Sequence, residues 1–275
     1  MSGTLTLVPT PIGNLSDISP RCRQALAEAD FIAAEDTRVT LKLLNHLEIK
    51  KPLVSYYEHN KEFSGKKILE RILAGENCVQ VSDAGSPAIS DPGEDLVRLC
   101  AEHGVTVTAV PGPCAAITAL SISGLPTGRF TFEGFLSTTK KNRLAHLQSL
   151  KNETRTMIFY EAPHKLTATL RDLSEAFGAE RRISLCRELT KLHEEVRRTT
   201  LGEAAAYYDE QPPRGEFVLI VEGAAEKQEE APTIETALAR VQELLAQGMS
   251  KKDAIKQASQ ETGFPKNALY DAAMR

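Results

Sequence analysis

The chain has 275 residues, of which 41% are hydrophobic and 25% charged, with a formal net charge of −4. That is enough apolar material for one large or two small cores, and the acidic balance excludes a chain-wide polycation, so any nucleic-acid contact must come from a local basic surface. No apolar run approaches the ~20 residues that span a bilayer, and no basic-then-apolar leader opens the chain, so a cytoplasmic protein without membrane partners is expected.

Over the first ~110 residues strand and helix signals alternate. Thr4–Val8, Phe31–Ala34, Leu53–Tyr56, Val79–Ser82 and Val105–Val110 read as short strands rich in Val, Ile, Leu and Thr. Between them Ser19-Pro20 opens a helix as N-cap and first-turn proline. Lys66–Leu73 carries Ile68, Leu69, Ile72 and Leu73 on one face and stops at Gly75. Asp91-Pro92-Gly93 reads as a further helix start, with Asp91 as N-cap. This alternation predicts a mostly parallel sheet with helices on both faces.

Pro111-Gly112-Pro113 is a stiff joint and a candidate boundary between an α/β domain at 1–112 and a second at 113–224. After a helix at about 114–123, Phe130–Phe135, Thr156–Tyr160, Ile183–Cys186, Val196–Leu201 and Phe217–Val221 read as strands with fewer helices between, which predicts a mixed sheet with antiparallel pairs. Residues 225–232 are a charged linker without apolar periodicity. A third unit, 233–275, follows. Ile234, Leu238, Val241, Leu244 and Leu245 form an apolar stripe that ends at Gly248. Ser250, with Asp253 three residues on, caps a second helix that Gly263 ends, and Pro265 begins a third. Three short helices with tight turns fit a helix-turn-helix that docks RNA through Lys251, Lys252, Lys256 and Lys266; they fit equally a bundle that only packs.

Three strand ends carry Gly and Pro: 9–15, 82–87 and 111–113. In an open α/β sheet a ligand binds beyond the carboxyl ends of the strands, and Gly85 in Ser82-Asp83-Ala84-Gly85-Ser86-Pro87 lets a bound molecule approach the backbone. Together the loops imply one cleft built largely from backbone, although each alone also fits an ordinary βα turn. At the next strand ends stand Glu35-Asp36-Thr37-Arg38 and Glu58-His59-Asn60. Adjacent carboxylates are costly unless paired or used: Asp36 is the first candidate proton acceptor, His59 the second and Glu35 a neighbour, against the alternative of an N-cap with a salt bridge to Arg38. Arg21, Arg38, Arg129, Lys140, Lys141 and Arg143 are candidate phosphate contacts.

The exclusions are as useful. No G-x-G-x-x-G follows the first strand, and the chain has neither a P-loop nor a G-x-S-x-G elbow. Five scattered cysteines without a CxxC pair, and histidines without metal spacing, argue against a disulfide framework and a metal site and fit a reducing compartment.

The segments LVPTPIGNLSDISPR at 7–21, AEDTR at 34–38, SDAGSPAISDPG at 82–93, VPGPCAAITALSISGLP at 110–126 and PRGEFVLIVEG at 213–223 occur in this order. Together they closely resemble the ribosomal RNA small subunit methyltransferase I family, of the tetrapyrrole-methylase (class III) fold. The resemblance runs over nearly the whole chain. It implies two α/β domains with S-adenosylmethionine between them, a C-terminal helical unit, and a homodimer. Pro9, at the end of the first strand, and Asp83 would be cofactor residues, Ala84, Gly85, Ser86 and Pro87 would line the methionine side, and Cys114 and Ala115 would lie small against it. Tyr160, Leu189, Pro213, Arg214 and Gly215 would frame adenine and ribose. Ser86 stands where the family more often has threonine, which keeps the hydroxyl. The implied reaction is 2′-O-methylation of cytidine 1402 in the 16S RNA of the small ribosomal subunit. Two alternatives stay open at this point: a tetrapyrrole methyltransferase of the same fold, and a non-catalytic RNA-binding assembly factor.

Overall fold

The computed structural model describes residues 2–225 and 233–273; of the charged linker, residues 226–232 lie outside the described residues. The chain divides after Ala224 into two compact units. The larger holds two five-stranded sheets.

The first sheet contains β1 (Thr4–Leu7), β2 (Phe31–Ala34), β3 (Leu53–Ser55), β4 (Cys78–Val81) and β5 (Thr106–Ala109), in the order β3-β2-β4-β1-β5. All its pairs are parallel. Alternation along β2 explains why it is wholly apolar. Ile32 and Ala34 face a core with Cys22 and Leu26 of α1 (Pro20–Glu28) and Leu44 of α2 (Thr37–His46). Phe31 and Ala33 face the opposite core, with Ile68 and Ile72 of α3 (Lys61–Leu73) and Leu96 and Cys100 of α4 (Glu94–Glu102). The expected doubly covered parallel sheet is therefore present, with strand ends shifted by a residue or so.

The second sheet has the order β6-β7-β10-β8-β9, built from β6 (Phe130–Phe135), β7 (Thr156–Glu161), β8 (Arg182–Arg187), β9 (Glu195–Thr200) and β10 (Phe217–Val221). β6 and β7 are parallel and the other pairs antiparallel, the expected mixture. One face packs on α6 (Lys140–Ser149), α7 (Pro163–Phe177) and α8 (Leu201–Glu210). The other receives Ala116, Ala119 and Leu120 of α5 (Ala115–Ile122).

The smaller unit contains α9 (Ile234–Ala246), α10 (Lys251–Thr262) and α11 (Lys266–Ala273) around its own core of Ala237, Val241, Leu244, Ala254, Ile255, Ala258 and Leu269. Ser250 caps α10, its hydroxyl accepting from the Asp253 amide at 3.2 Å, and Gly263 ends the helix at φ 69°. Pro265 lies just before α11 rather than in it.

Two helix starts correct the sequence reading. α3 begins at Lys61, five residues before the expected Lys66. The helix after the 82–93 loop has Gly93, not Asp91, as its N-cap, so Pro92 is not its first residue. Gln80 is the reason: its side-chain amide donates to the Pro92 carbonyl at 2.6 Å and holds that peptide outside the helix.

Candidate active site

The three loops singled out by their Gly and Pro content meet at the carboxyl ends of β1, β4 and β5. Thr10 and Gly85 form a two-bond antiparallel bridge, with N···O distances of 2.9 and 3.0 Å. The Thr10 hydroxyl donates to the Ser82 carbonyl at 3.1 Å, and the Ser86 hydroxyl donates to the Pro113 carbonyl at 3.1 Å. The loops are thus stitched to one another through backbone, with few side chains intervening.

Beside them lies a cavity of about 470 Å³, within the range that holds a drug-sized ligand. The first-sheet loops contribute Ile12, Glu35, Asp83, Ala84, Gly85, Ser86, Ile89, Ser90 and Asp91 to its wall. Cys114 and Ala115 at the start of α5 line it too, as do Phe135, Tyr160, Cys186, Leu189 and Glu216–Val218 from the second-sheet side. Of the expected cofactor residues, Asp83, Ala84, Gly85, Ser86, Cys114, Ala115, Tyr160 and Leu189 lie on the wall. Pro9, Pro87, Pro213, Arg214 and Gly215 are not on it. A Cβ on Gly112 would come within 2.9 Å of Pro9 Cβ, and the Arg214 carbonyl accepts from Arg187 Nε at 2.7 Å. Gly215, at φ 84°, has the Glu188 side chain where a Cβ would be, 2.5 Å away. That close approach lets Glu188 Oε1 accept from the Glu216 amide at 2.9 Å, fixing the wall residue.

The wall is rigid where it is aromatic. Tyr160 stands edge-on to Phe132 and Phe135, with centroids 5.1 and 5.5 Å away. Its hydroxyl accepts from the Ala116 amide at 3.1 Å, supplying the α5 cap that the Cys114 side chain does not. Burial, with a smaller effect of charge on Cys114 and Asp91, pushes its phenol up to about 12, so it stays neutral. The register shift in β6 between Phe132 and Gly134 precedes Phe135 and turns that ring onto the cavity. Ala88 and Ser90 both have positive φ, 68° and 60°, as do Glu188 and Thr190 across the cavity at 50° and 66°. Non-glycine residues in this region cost on the order of 1 kcal/mol or more each and gather where a surface is held for a ligand.

Carboxyl groups cluster at one end. The Asp83 carboxylate accepts from the Asp36 amide at 3.0 Å, and Glu35 accepts from the Asp83 amide at 3.3 Å. Partial desolvation raises the pKa of half-buried Glu35 and, although it is exposed at the surface, of Asp83; the amide each accepts from opposes the rise and neighbouring carboxylate charge adds to it. Asp36 itself lies outside the cavity wall. Its carboxylate caps α2 through the Arg38 amide at 2.8 Å and pairs with the Arg38 guanidinium at 2.6 Å. Those bonds hold its carboxyl down to about 2, which makes it a weak proton acceptor; the cap-and-salt-bridge alternative is the one observed. His59 is exposed, edge-on to Tyr57 at 6.4 Å, and is not on the wall either.

Among the candidate phosphate contacts, Arg21, Arg38, Arg129, Lys140 and Lys141 are exposed. Arg143 is committed elsewhere: its guanidinium pairs with Asp172 at 2.6 Å and bonds the Ser137 carbonyl, with 13% of the side chain exposed. In the small unit Lys252, Lys256 and Lys266 are exposed, whereas Lys251 donates to the Ala273 carbonyl at 2.7 Å and ties α10 to α11.

The cavity fits a molecule that needs a slot against backbone. A side chain on Gly85 would begin filling it, with a Cβ 3.3 Å from Ile12 and 3.8 Å from the Pro113 carbonyl. It also provides its own reporter. Cys114 is half-buried on the wall, while Cys22, Cys78, Cys100 and Cys186 are buried, and burial pushes the thiols of Cys78, Cys100 and Cys186 up to about 12, 11 and 11. Iodoacetamide should therefore modify Cys114 first, and saturating S-adenosylhomocysteine should slow that reaction at least about tenfold. Peptide mass spectrometry reads both; equal labelling with and without the ligand would remove Cys114 from the cofactor slot.

Comparisons with known proteins bear on the fold and the family. Residues 4–205 match the Tetrapyrrole (Corrin/Porphyrin) Methylases, and residues 232–275 match the RsmI C-terminal HTH domain. A protein of Synechocystis named ribosomal RNA small subunit methyltransferase I is 47% identical over 272 residues, covering 99% of this chain and 98% of that one. The proteins of the same name from Halalkalibacterium halodurans and Escherichia coli O157:H7 are 49% and 45% identical, covering 98% and 99% of this chain and 94% and 95% of theirs. Among solved structures, the methyltransferase CobJ aligns with a TM-score of 0.59 at 22% identity, over 82% of this chain and 95% of that one. Uroporphyrin-III C-methyltransferase from Thermus thermophilus, complexed with S-adenyl homocysteine, aligns at 0.56 and 20% identity, over 80% of this chain and 97% of its own. These likenesses carry the fold, and the full-length relatives carry the family. The chain belongs to the ribosomal RNA small subunit methyltransferase I family, and is a methyltransferase whose methyl donor is S-adenosylmethionine.

Proposed function

We propose that the protein transfers a methyl group to the 2′-hydroxyl of a cytidine ribose in the RNA of the small ribosomal subunit, at cytidine 1402 of the 16S RNA. The observation that carries this reading is one cofactor-sized cavity with an acidic end, in a chain nearly half identical over its length to proteins named for ribosomal RNA methylation.

S-adenosylmethionine, when bound, supplies a methyl group on a positively charged sulfur. Residues of this chain do the rest. Ala84, Gly85, Ser86, Cys114 and Ala115 form a narrow slot of small residues, and Leu189, Phe217 and Val218 give it an apolar floor that keeps water out. Glu35 and Asp83, at the acidic end of the wall, would hold the positively charged end of the donor by charge. Holding the ribose oxygen in line with the methyl carbon converts a bimolecular encounter into an oriented one, which lowers a barrier by up to roughly 7–11 kcal/mol. Arg38, 87% exposed by side chain, together with Lys140 and Lys141, offers charge to the RNA backbone.

The C-terminal unit, residues 233–275, is the RNA-docking part in this reading. Its α10 and α11 are joined by a Gly263–Pro265 turn of helix-turn-helix length, and Lys252 and Lys256 lie one turn apart on α10. The homodimer belongs to this reading through the family, and sedimentation velocity would register it as twice the mass of the chain. The ribosomal substrate and the cysteines, free among the described residues, support a cytoplasmic location. No helix among the described residues is long and apolar enough to cross a membrane, and no His, Cys, Asp or Glu group among them forms a metal site.

The experiment is transfer of label from methyl-labelled S-adenosylmethionine to purified small subunits lacking the modification. Label recovered on the ribose of one cytidine supports the proposal. Label on a base, or on a tetrapyrrole but not on RNA, refutes it.

A further inference from the structure

Asp91 reads in sequence as a helix cap, yet the structure gives it no such work. The cap is Gly93, and the Asp91 carboxyl instead lies on the cavity wall near Glu35, Asp83 and Tyr160. Its backbone is pinned on both sides, by Ser90 in the left-handed region at φ 60° and by the bond from Gln80 to the Pro92 carbonyl. Holding a half-buried carboxyl at the end of a strained segment, without a capping duty, has a cost unless the group is used.

We propose that Asp91 is the group that accepts the proton of the ribose hydroxyl during methyl transfer, an assignment that rests on the O-methylation reading above. In that step the hydroxyl O–H bond breaks and its proton goes to an Asp91 oxygen. A bond forms between the hydroxyl oxygen and the methyl carbon, and the methyl–sulfur bond breaks with its electron pair left on sulfur. Asp91 then returns the proton to water.

The neighbouring carboxylates are less suited. Glu35 accepts from the Asp83 amide and Asp83 from the Asp36 amide, which joins two strand ends, while Asp36 caps α2 and pairs with Arg38. The Ser82 hydroxyl, which donates to the Gly85 carbonyl at 3.2 Å, lies beside the Asp91 carboxyl and can turn to it. Burial is the main cause that raises its carboxyl to about 6, charge on Glu35 and Asp83 adds to it, and the Ser82 bond opposes it. The groups facing it are Glu35 from the end of β2, Asp83 and Ser82 from its own loop, and the neutral Tyr160 from β7. A base with a pKa closer to the working pH is the better acceptor and is still ionised at neutral pH.

The test is Asp91→Asn, which keeps the shape and removes the proton acceptor. Calorimetric affinity for S-adenosylhomocysteine should stay within about threefold, while labelling of small-subunit RNA falls by roughly 10²-fold or more. Stability separates this role from a structural one. A carboxyl whose folded pKa is raised favours the native state at low pH and loses that contribution as pH rises through about 6. The cofactor-free variant should therefore melt no lower than wild type at neutral pH, and its advantage should vanish in acid. Ser82→Ala is the second variant. Removing the hydroxyl raises the Asp91 pKa, so the acid limb of the wild-type rate profile, near pH 6, should move upward. Labelling by Asp91→Asn within about fivefold of wild type, a loss of cofactor affinity as large as the loss of rate, or an acid limb unmoved by Ser82→Ala would each overturn the assignment. Wild type that labels no ribose would instead refute the O-methylation reading, whatever Asp91 does.

Discussion

Gly85→Val should raise the dissociation constant for S-adenosylhomocysteine by at least about a hundredfold, equivalent to roughly 2.7 kcal/mol. Two effects combine. Gly85 sits at φ 89°, where a β-branched residue is strained, and its amide and carbonyl both bridge to Thr10, so any relaxation breaks the bonds that join two of the cavity loops. The side chain itself starts 3.3 Å from Ile12 and grows into the slot. Gly85→Ala separates the two contributions. It carries the backbone strain, about 1–2 kcal/mol for an L-residue in this region, with only a methyl in the cavity. Its affinity should fall between those of wild type and the Val variant. A folded Val variant that binds the ligand like wild type would show that the slot at 82–87 is not where the cofactor lies.

Removal of residues 231–275 should leave cofactor affinity within about twofold and cut methylation of small subunits by at least about tenfold. Every cavity residue precedes Ala224, and the C-terminal helices close a core of their own around Val241, Leu244, Ile255 and Leu269, so the first effect is small. The second rests on the docking role proposed for α10 and α11. Lys252→Ala with Lys256→Ala should reproduce part of the loss and lower the slope of log affinity against log salt by roughly one unit for each phosphate no longer neutralised. Lys251 is left out of this pair because its ammonium holds the Ala273 carbonyl, so its removal would disturb α11 as well. If truncation destroys cofactor binding, the unit supports the catalytic part instead of docking RNA. If the double Ala variant keeps its affinity and salt slope, the RNA surface belongs to Arg38, Lys140 and Lys141.

Much of the fold is legible because its signals are local. The apolar runs of β2 and β10 are continuous, and Ser19-Pro20, Ser250 and Gly263 punctuate helices by chemistry that acts within one turn. The loops 9–15, 82–87 and 111–113 are legible for the same reason, since a chain that must bend tightly at strand ends needs Gly and Pro. What stays hidden depends on distant partners. Asp91-Pro92-Gly93 has the composition of a helix start, yet Gln80, on β4, holds the Pro92 carbonyl and Gly93 turns at φ 146° before the helix begins. Phe135 looks like any strand end until the shift at Gly134 turns it onto the cavity. Asp36 invites a catalytic reading because carboxylates at strand ends often carry one, and the pairing with Arg38 two residues on becomes decisive only with both groups in place. Phe217, Val218 and Cys186 are ordinary strand residues whose place on the wall follows from how β10 and β8 lie in the second sheet.

The most direct measurement is nucleoside mass spectrometry of small-subunit RNA from cells with and without this protein, with the modified position mapped by nuclease fragments. The account predicts that one 2′-O-methylcytidine, at position 1402, disappears when the protein is absent. It should return with the wild-type chain and stay missing with Gly85→Val. An unchanged 2′-O-methylcytidine in the cells lacking the protein, or the loss of a base methyl group with the ribose methyl retained, would contradict it.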